Sequence, residues 1–218
     1  MVIDPIPPVV VDPPSPVSCP DVMCMMYCPN GNRIDTNGCQ MCDCNEEHVS
    51  ECEIVQPSCS DYNYVCPRIT EITHCNNDGI DGYTTFQVSL IIQDNKNVKN
   101  IYALFGNEDN MMILPQSYQT VNGENVGGIQ SYLVDYYPDM EYDSWLTIGI
   151  TNGDIGNKIS SVGIDFNEWD IENSLSVDNG AIFSIDPEDD IVFGNEYIVG
   201  QFTVRTFSNP EIVLNVQG

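Results

Sequence analysis

The sequence feature that most constrains the fold is the placement of the cysteines. All ten lie between Cys19 and Cys75, and none follows in the rest of the 218-residue chain. A segment this short and polar cannot fold on a hydrophobic core alone, so an even number of closely spaced cysteines predicts a disulfide framework. We expect that framework to comprise Cys19, Cys24, Cys28, Cys39, Cys42, Cys44, Cys52, Cys59, Cys66 and Cys75.

Zinc binding is the alternative interpretation of these cysteines, because Cys39 and Cys42 form a CxxC pair. A second CxxC at a suitable distance is missing, and neither His48 nor His74 has the spacing of a zinc finger. Disulfides are therefore favoured, and with them an extracellular, luminal or virion-surface location. The sequence contains no Asn-x-Ser/Thr glycosylation acceptor, which fits a virus that assembles in the cytoplasm with its own thiol oxidase.

The charge balance excludes two classes of partner. Lys and Arg number 6 against 33 Asp and Glu, a formal net charge of −27. Nucleic acids and anionic lipid surfaces are recognised by clustered cations, so neither is expected as a partner. An acidic surface instead favours solubility and cationic partners. No apolar run approaches the roughly 20 residues that cross a bilayer, so we expect no membrane span.

The composition divides the chain into four segments. Residues 1–18 contain six prolines and predict an extended, polyproline-like arm. Residues 19–44 hold six cysteines and predict a disulfide knot, and 45–80 form a second segment with the other four. Residues 81–218 contain no cysteine and have the pattern of a β-sandwich.

The pattern of residues 81–218 is that of short strands separated by Asn, Asp and Gly. Phe86, Val88, Leu90 and Ile92 alternate with their neighbours at a period of two. Further predicted strands are 98–105, 129–136, 145–150, 159–166, 181–185, 197–207 and 211–216. About eight to ten such strands predict an all-β, jelly-roll-like sandwich. Its expected core comprises Leu90, Leu104, Trp145, Ile148, Ile164, Phe183, Phe202 and Val204.

The stretch CPDVMCMMYCPNGNRIDTNGCQMCDC follows the pattern C-x4-C-x3-C-P-x-G-x6-G-C-x2-C-x-C. It resembles the C-terminal half of an antistasin-like domain, with matches at Cys19, Cys24, Cys28, Pro29, Gly31, Gly38, Cys39, Cys42 and Cys44. The resemblance implies that these six cysteines bond among themselves. It also implies a serine protease inhibitor that presents the loop between Cys24 and Cys28. In that interpretation Met25 enters the pocket of an elastase- or chymotrypsin-like protease, and Met26 follows it.

Two observations favour a purely structural role for this stretch. The residues before Cys19 are proline-rich and lack the cysteines of the N-terminal half of the antistasin-like domain. Such modules also recur in large mosaic surface proteins. The alternative to inhibition is therefore a compact spacer that stiffens a stalk.

The predicted sandwich carries a second resemblance. Tyr142–Gly149, Gly163–Phe166 and Gly180–Phe183 are similar to a repeated β domain of secreted proteins from microalgae and from large DNA viruses of aquatic protists. That resemblance implies a surface or virion location and no particular chemistry.

One acidic triplet has the spacing of a catalytic site. On a strand, Glu168, Asp170 and Glu172 would share a face, as in the jelly-roll glycosidases whose two carboxylates lie about 5–5.5 Å apart. The flanking Asn167 and Asn173 instead suggest a turn-bounded loop. With only two histidines, both in the cysteine-rich segments, no nucleophilic triad is indicated. We therefore expect no catalytic residue and no enzymatic activity.

Calcium is the only cofactor that the loops suggest. The segments 76–82 and 186–190 are rich in oxygen ligands. Neither fits an EF-hand loop, because the first begins with Asn76 after a cysteine and ends without a bidentate glutamate. Solvated turns are the favoured interpretation, so no cofactor and no metal ligand is assigned.

The sequence as a whole favours a non-enzymatic structural or adhesive surface component, built as a stiff arm, a disulfide-knotted stalk and a sandwich head. Such a capsid-surface, fibre or matrix protein would assemble with itself or with other coat proteins. The alternatives are a protease inhibitor acting through Met25 and a carbohydrate-binding or carbohydrate-cleaving sandwich.

We predict that all ten cysteines are paired. Alkylation of the unreduced, denatured protein followed by mass spectrometry should detect no modified thiol. Release of stoichiometric zinc on acidification would contradict the prediction.

Overall fold

The computed structural model describes residues 32–34, 39–44, 56–73, 79–94, 98–121, 123–187 and 194–218. The chain forms two compact units, residues 1–51 and residues 52–218. In the first unit, β1 (Asn32–Ile34) pairs antiparallel with β2 (Gln40–Cys44). Cys39, just before β2, is buried and disulfide-bonded. A two-stranded hairpin is marginal by itself in water, so this covalent link is the expected source of its stability.

The regular structure of the second unit is mostly strand, and its described residues include one short helix, α1 (Ser131–Val134). Turns of 3-10 helix cover Cys59–Asp61, Pro138–Tyr142 and Phe166–Glu168. The ten described strands are β3 (Val65–Thr73), β4 (Tyr83–Ile92), β5 (Ala103–Gly106), β6 (Met112–Leu114), β7 (Trp145–Leu146), β8 (Ile159–Val162), β9 (Leu175–Val177), β10 (Gly180–Ser184), β11 (Glu196–Arg205) and β12 (Asn215–Gln217).

These strands form two four-stranded sheets and one small pair. The first sheet has the order β3-β4-β11-β7, the second β12-β5-β10-β8, and β6 pairs with β9. All the pairings between these strands are antiparallel. The prediction of an all-β, sandwich-like fold with eight to ten strands is confirmed.

One hydrophobic core joins the strands of both four-stranded sheets. Phe86, Val88 and Leu90 of the first sheet pack in the same cluster as Leu104 and Ile182 of the second. Six of the eight predicted core residues are buried: Leu90, Leu104, Trp145, Ile148, Phe202 and Val204.

The two remaining core predictions need correction, because Ile164 and Phe183 are only partly buried. Ile164 packs against the edge of the core. On β10, Ile182 is completely buried. Since neighbouring strand residues point to opposite faces, Phe183 lies on the outer face of its sheet.

The predicted strand at 129–136 is wrong. The structure has α1 there, followed by a turn. Ile129 and Leu133 recur at the four-residue spacing of a helix and pack in a small cluster with Met140 and Trp145. The apolar residues therefore follow a helical rather than a strand period.

The first sheet begins earlier in the chain than the strand pattern after Tyr83 suggested. β3 lies within the segment 45–80 and pairs with β4 over most of its length. Its inward residues include Val65 and Ile69, which pack against the core. Cys66 on the same strand forms a disulfide with Cys59, so part of the second cysteine segment belongs to the sandwich.

The edge of β3 away from β4 has no strand partner among the described residues, and a side chain covers it at one point. The amide of Gln56 donates from Nε2 to the carbonyl of Ile69 at 2.6 Å and accepts from the N–H of Ile69 at 3.0 Å. Two residues earlier, Pro67 has no N–H to offer. Both features limit the pairing of this edge with another strand.

No helix among the described residues is long and apolar enough to cross a bilayer.

Candidate functional site

An aromatic cleft of about 350 Å³ opens on the second unit between the loop after β6 and the turn before β7. We call it the tyrosine cleft, because Tyr118, Tyr136 and Tyr137 line it together with Asp139. The side chains around its mouth are unusually exposed: Tyr136 is 77% accessible and Val121 100%. Large apolar surfaces left open to water are typical of interaction sites.

A buried carboxylate holds the two walls of the tyrosine cleft together. The side chain of Asp143 is fully buried, and its Oδ1 accepts from the backbone N–H of Thr120 at 2.7 Å. The backbone N–H of Asp143 donates to the carbonyl of Met140 at 3.2 Å. Thr120 and Met140 lie on opposite walls, so Asp143 fixes their separation.

The second oxygen of this carboxylate has no hydrogen-bond partner among the described residues. The same is true of Thr120 Oγ1 and Gln119 Nε2. A Cβ at residue 123 would collide with both Asp143 Oδ2 and Thr120 Oγ1, so only glycine fits at Gly123. The backbone thus closes over the carboxylate and keeps water from it.

Strand β11 anchors this arrangement to the sheet. Gln201 donates from Nε2 to the carbonyls of Glu141 and Asp143, at 2.8 and 2.9 Å. Its Oε1 accepts from Gln87 on β4 at 3.0 Å. On the other wall, the N–H of Tyr118 donates to the carbonyl of Thr203 at 2.7 Å. Both walls are therefore attached to the same central strand.

The electrostatics of the cleft follow from this burial. Desolvation raises the pKa of Asp143 to about 6, against the opposing effect of the hydrogen bond from the backbone N–H of Thr120. The pKa of Tyr118 is also raised, first by burial and then by the negative charges of Asp139 and Asp143. The potential in the cleft is therefore negative.

A larger groove of about 610 Å³ lies between the start of β3 and the C-terminus, beside Tyr62 and Tyr64. None of the buried polar atoms without a partner in the described residues lies among its lining residues. The tyrosine cleft is therefore the better candidate for specific recognition.

The predicted acidic triplet does not lie on a strand. Glu168 ends a 3-10 turn, and the neighbouring Trp169 is buried. The Oδ1 of Asp170 accepts from the backbone N–H groups of Glu172 and Asn173, both at 2.8 Å. These hydrogen bonds lower the pKa of Asp170.

Glu172, the last member of the triplet, forms an exposed ion pair with Arg205 at 2.9 Å. Asp170 organises a turn and Glu172 pairs with a cation, so these two carboxylates have separate structural roles.

Other predicted site residues lie partly or wholly outside the described residues. These are the Cys24–Cys28 loop with Met25 and Met26, both histidines, and parts of the two candidate calcium loops. Among the described residues, no three His, Cys, Asp or Glu side chains are grouped as metal ligands. Cys39, Cys59 and Cys66 are disulfide-bonded, and full pairing of all ten cysteines stays a prediction.

Sequence reasoning missed the tyrosine cleft. The run Tyr136-Tyr137-Pro138-Asp139 is a local signal, because a proline directly after two adjacent aromatic residues favours a turn there. The opposite wall has no such signal, since Tyr118 and Thr120 are brought there only by the hydrogen bonds with β11 and Asp143.

Comparison with known proteins gives one match. The model of the antistasin family matches residues 19–44, so the resemblance seen in the cysteine spacing is confirmed for that stretch. No curated protein and no solved structure matches the chain. The resemblance of the sandwich to algal and viral surface proteins stays a prediction.

We predict that Asp143 makes the folded state less stable as the pH rises. Its pKa of about 6 lies above the ordinary value of 3.8, so the folded state binds the proton more tightly than the unfolded state. The free energy of unfolding should fall by about 3 kcal/mol between roughly pH 4 and pH 6 on account of this group. Urea unfolding across this pH range measures the effect.

Asp143→Asn should remove this dependence and exceed the wild type in stability above pH 6. The control is Asp178→Asn, which removes one charge from an exposed turn. Parallel pH profiles for the wild type and Asp143→Asn would contradict the assignment.

Proposed function

We propose that the chain is a non-enzymatic structural or adhesive component of an extracellular or virion surface, and that the tyrosine cleft is its contact site. The observation that carries this proposal is the exposure of tyrosine side chains on a rigid frame. Disulfide bonding and the antistasin match at residues 19–44 are compatible with an extracellular location.

Exposed tyrosines suit an adhesive surface for a physical reason. A tyrosine has few rotatable bonds, so it contributes a large contact area at a small cost in conformational entropy. Tyrosine is accordingly enriched among the residues that dominate binding energy at interfaces. Tyr132 on α1 is 56% exposed and Tyr137 54%, which extends the aromatic surface beyond Tyr136.

The backbone that carries these side chains is held by hydrogen bonds, which favours binding. The N–H groups of Tyr136 and Tyr137 both donate to the carbonyl of Leu133, and Met140 in turn donates to Tyr137. A wall held in one conformation before binding loses little entropy when a partner docks. Such an arrangement favours contacts with other coat proteins, or with a copy of the chain that presents a cation to the cleft.

The second candidate function is inhibition of a serine protease. It rests on the antistasin family match, which includes the Cys24–Cys28 loop. In this function Met25 would fill the specificity pocket of an elastase- or chymotrypsin-like enzyme.

We predict that the protein lies on a surface and is retained there by the tyrosine cleft. Immunogold labelling of the source material should decorate the outside of a particle, fibre or matrix. Labelled recombinant protein should bind that material, and Tyr136→Ala with Tyr137→Ala should weaken binding at least about tenfold, as expected for interface anchors.

The matched control for this double variant is Tyr64→Ala, since Tyr64 is 61% exposed and lies outside the cleft. Labelling confined to the cell interior would contradict the surface location. Equal retention of the double variant would contradict the role of the cleft.

A separate prediction concerns Met25. We expect the intact protein to leave elastase, chymotrypsin and subtilisin uninhibited at micromolar concentration, because the residues directly before Cys19 are proline-rich and contain no cysteine that would support the loop. Enzyme titration measures this directly. Submicromolar inhibition that Met25→Ala abolishes, and Met111→Ala leaves intact, would favour the inhibitor function instead.

A further inference from the structure

We propose that the tyrosine cleft binds a lysine or arginine side chain presented on an extended segment of a basic partner protein. This inference rests on the proposed adhesive function and names the chemistry of the partner. It follows from three properties of the cleft: its aromatic walls, its negative charge and an unpaired buried amide.

The aromatic walls provide the first argument. Tyr118, Tyr136 and Tyr137 converge on one cavity of about 350 Å³. A cation over the face of a tyrosine ring is attracted by the negative face of the ring, and several rings around one cavity are the usual cage for an ammonium or guanidinium group. The volume lies at the small end of ligand sites, which suits a single side chain rather than a large ligand.

A contact of this kind, between a cation and a tyrosine ring, is present next to the cleft. The guanidinium of Arg205 lies 6.0 Å from the ring centroid of Tyr83. The ring of Tyr83 in turn lies 6.1 Å from that of Tyr118, which lines the cleft. The guanidinium of Arg205 thus lies at one end of the row of rings that runs from Tyr83 to the cleft. None of the lining residues at the other end is a lysine or arginine.

The charge provides the second argument. The carboxylate of Asp139 belongs to the lining, and its charge together with that of Asp143 raises the pKa of Tyr118. Only six cations oppose 33 carboxylates in the whole sequence. A second copy of this chain, or another acidic protein, would therefore be repelled unless it presented a cation at this point, whereas a basic segment is attracted.

An unpaired amide provides the third argument. Gln119 lines the cleft, and its buried Nε2 has no partner among the described residues. Leaving such an atom unpaired is unfavourable, so a ligand that pairs with it gains affinity. The carbonyl of an extended peptide accepts from an amide N–H. A peptide backbone supplies this acceptor beside its own basic side chain.

The test uses the full chain and two peptides. The probe is the acetylated, amidated peptide Gly-Ser-Arg-Ser-Arg-Ser-Gly, and its control carries citrulline in place of both arginines, which removes the charge and keeps the shape. Isothermal titration at low salt should show binding of the arginine peptide at least about tenfold tighter than of the citrulline peptide. Equal affinities for the two peptides would overturn the proposal.

Variants that keep the net charge constant distinguish binding at the cleft from attraction by the overall negative charge of the protein. Tyr136→Leu with Tyr137→Leu keeps the charge at −27. We expect it to weaken binding of the arginine peptide by about five- to twentyfold, the combined loss of two cation–π contacts. Tyr64→Leu, which also preserves the charge, should bind within about twofold of the wild type. Unchanged binding by the double variant would show attraction by the bulk charge alone and refute the site.

A second matched pair tests the carboxylate. Asp139→Asn and Asp178→Asn each remove one negative charge, but only Asp139 lines the cleft. Asp139→Asn should weaken binding more than Asp178→Asn, and equal effects would count against the site.

The proposed function and this inference fail in different ways. Surface labelling without selectivity for arginine would leave the adhesive function intact and refute the cationic partner. Selective peptide binding by a protein found only inside the cell would support the cationic partner and refute the adhesive surface function. Tight binding of a neutral β-glucan that displaces the peptide would assign the cleft to carbohydrate instead.

Discussion

The pairing of β4 with β11 supports the rest of the second unit. These two central strands are joined through nine registered residue pairs, from Glu196↔Ile91 to Arg205↔Tyr83. Their inward side chains supply much of the core. The same strand β11 donates or accepts the hydrogen bonds that fix both walls of the tyrosine cleft, through the side chain of Gln201 and the carbonyl of Thr203. Both walls of the tyrosine cleft are therefore attached to the most extensively paired strand.

The buried carboxylate of Asp143 is unfavourable in isolation, since burial opposes its ionisation. It is retained in an arrangement in which its backbone and side chain connect two loops that no strand pairing joins among the described residues. A hydrophobic residue of similar size would lack the acceptor that Thr120 requires. Burial of Asp143 thus lowers the stability locally, while its hydrogen bonds fix the geometry of the two loops at the surface. Such a compromise is common at functional sites.

Much of the fold is predictable from the sequence, and the reasons for the exceptions are physical. Alternation at Phe86, Val88 and Leu90 identifies β4, because a half-buried strand imposes a period of two. β3 escapes prediction although its inward residues alternate in the same way, since Pro67 and the neighbouring cysteines suggest irregular structure. The walls of the cleft, at Tyr118 and Tyr137, are brought together by tertiary hydrogen bonds that no local pattern records. The antistasin-like stretch, in contrast, is recognisable from its cysteine spacing alone, because the spacing is itself the family pattern.

The side chain of Gln56 across Ile69, together with Pro67, has a consequence for how densely this protein can be packed. A sheet edge with free amides acts as a template on which further chains add as strands, and crowding accelerates that reaction. Here the edge of β3 is blocked at two neighbouring positions of its backbone. Molecules concentrated side by side are thereby protected at this edge from fusing into continuous amyloid-like ribbons, and they keep their individual folds at high local density.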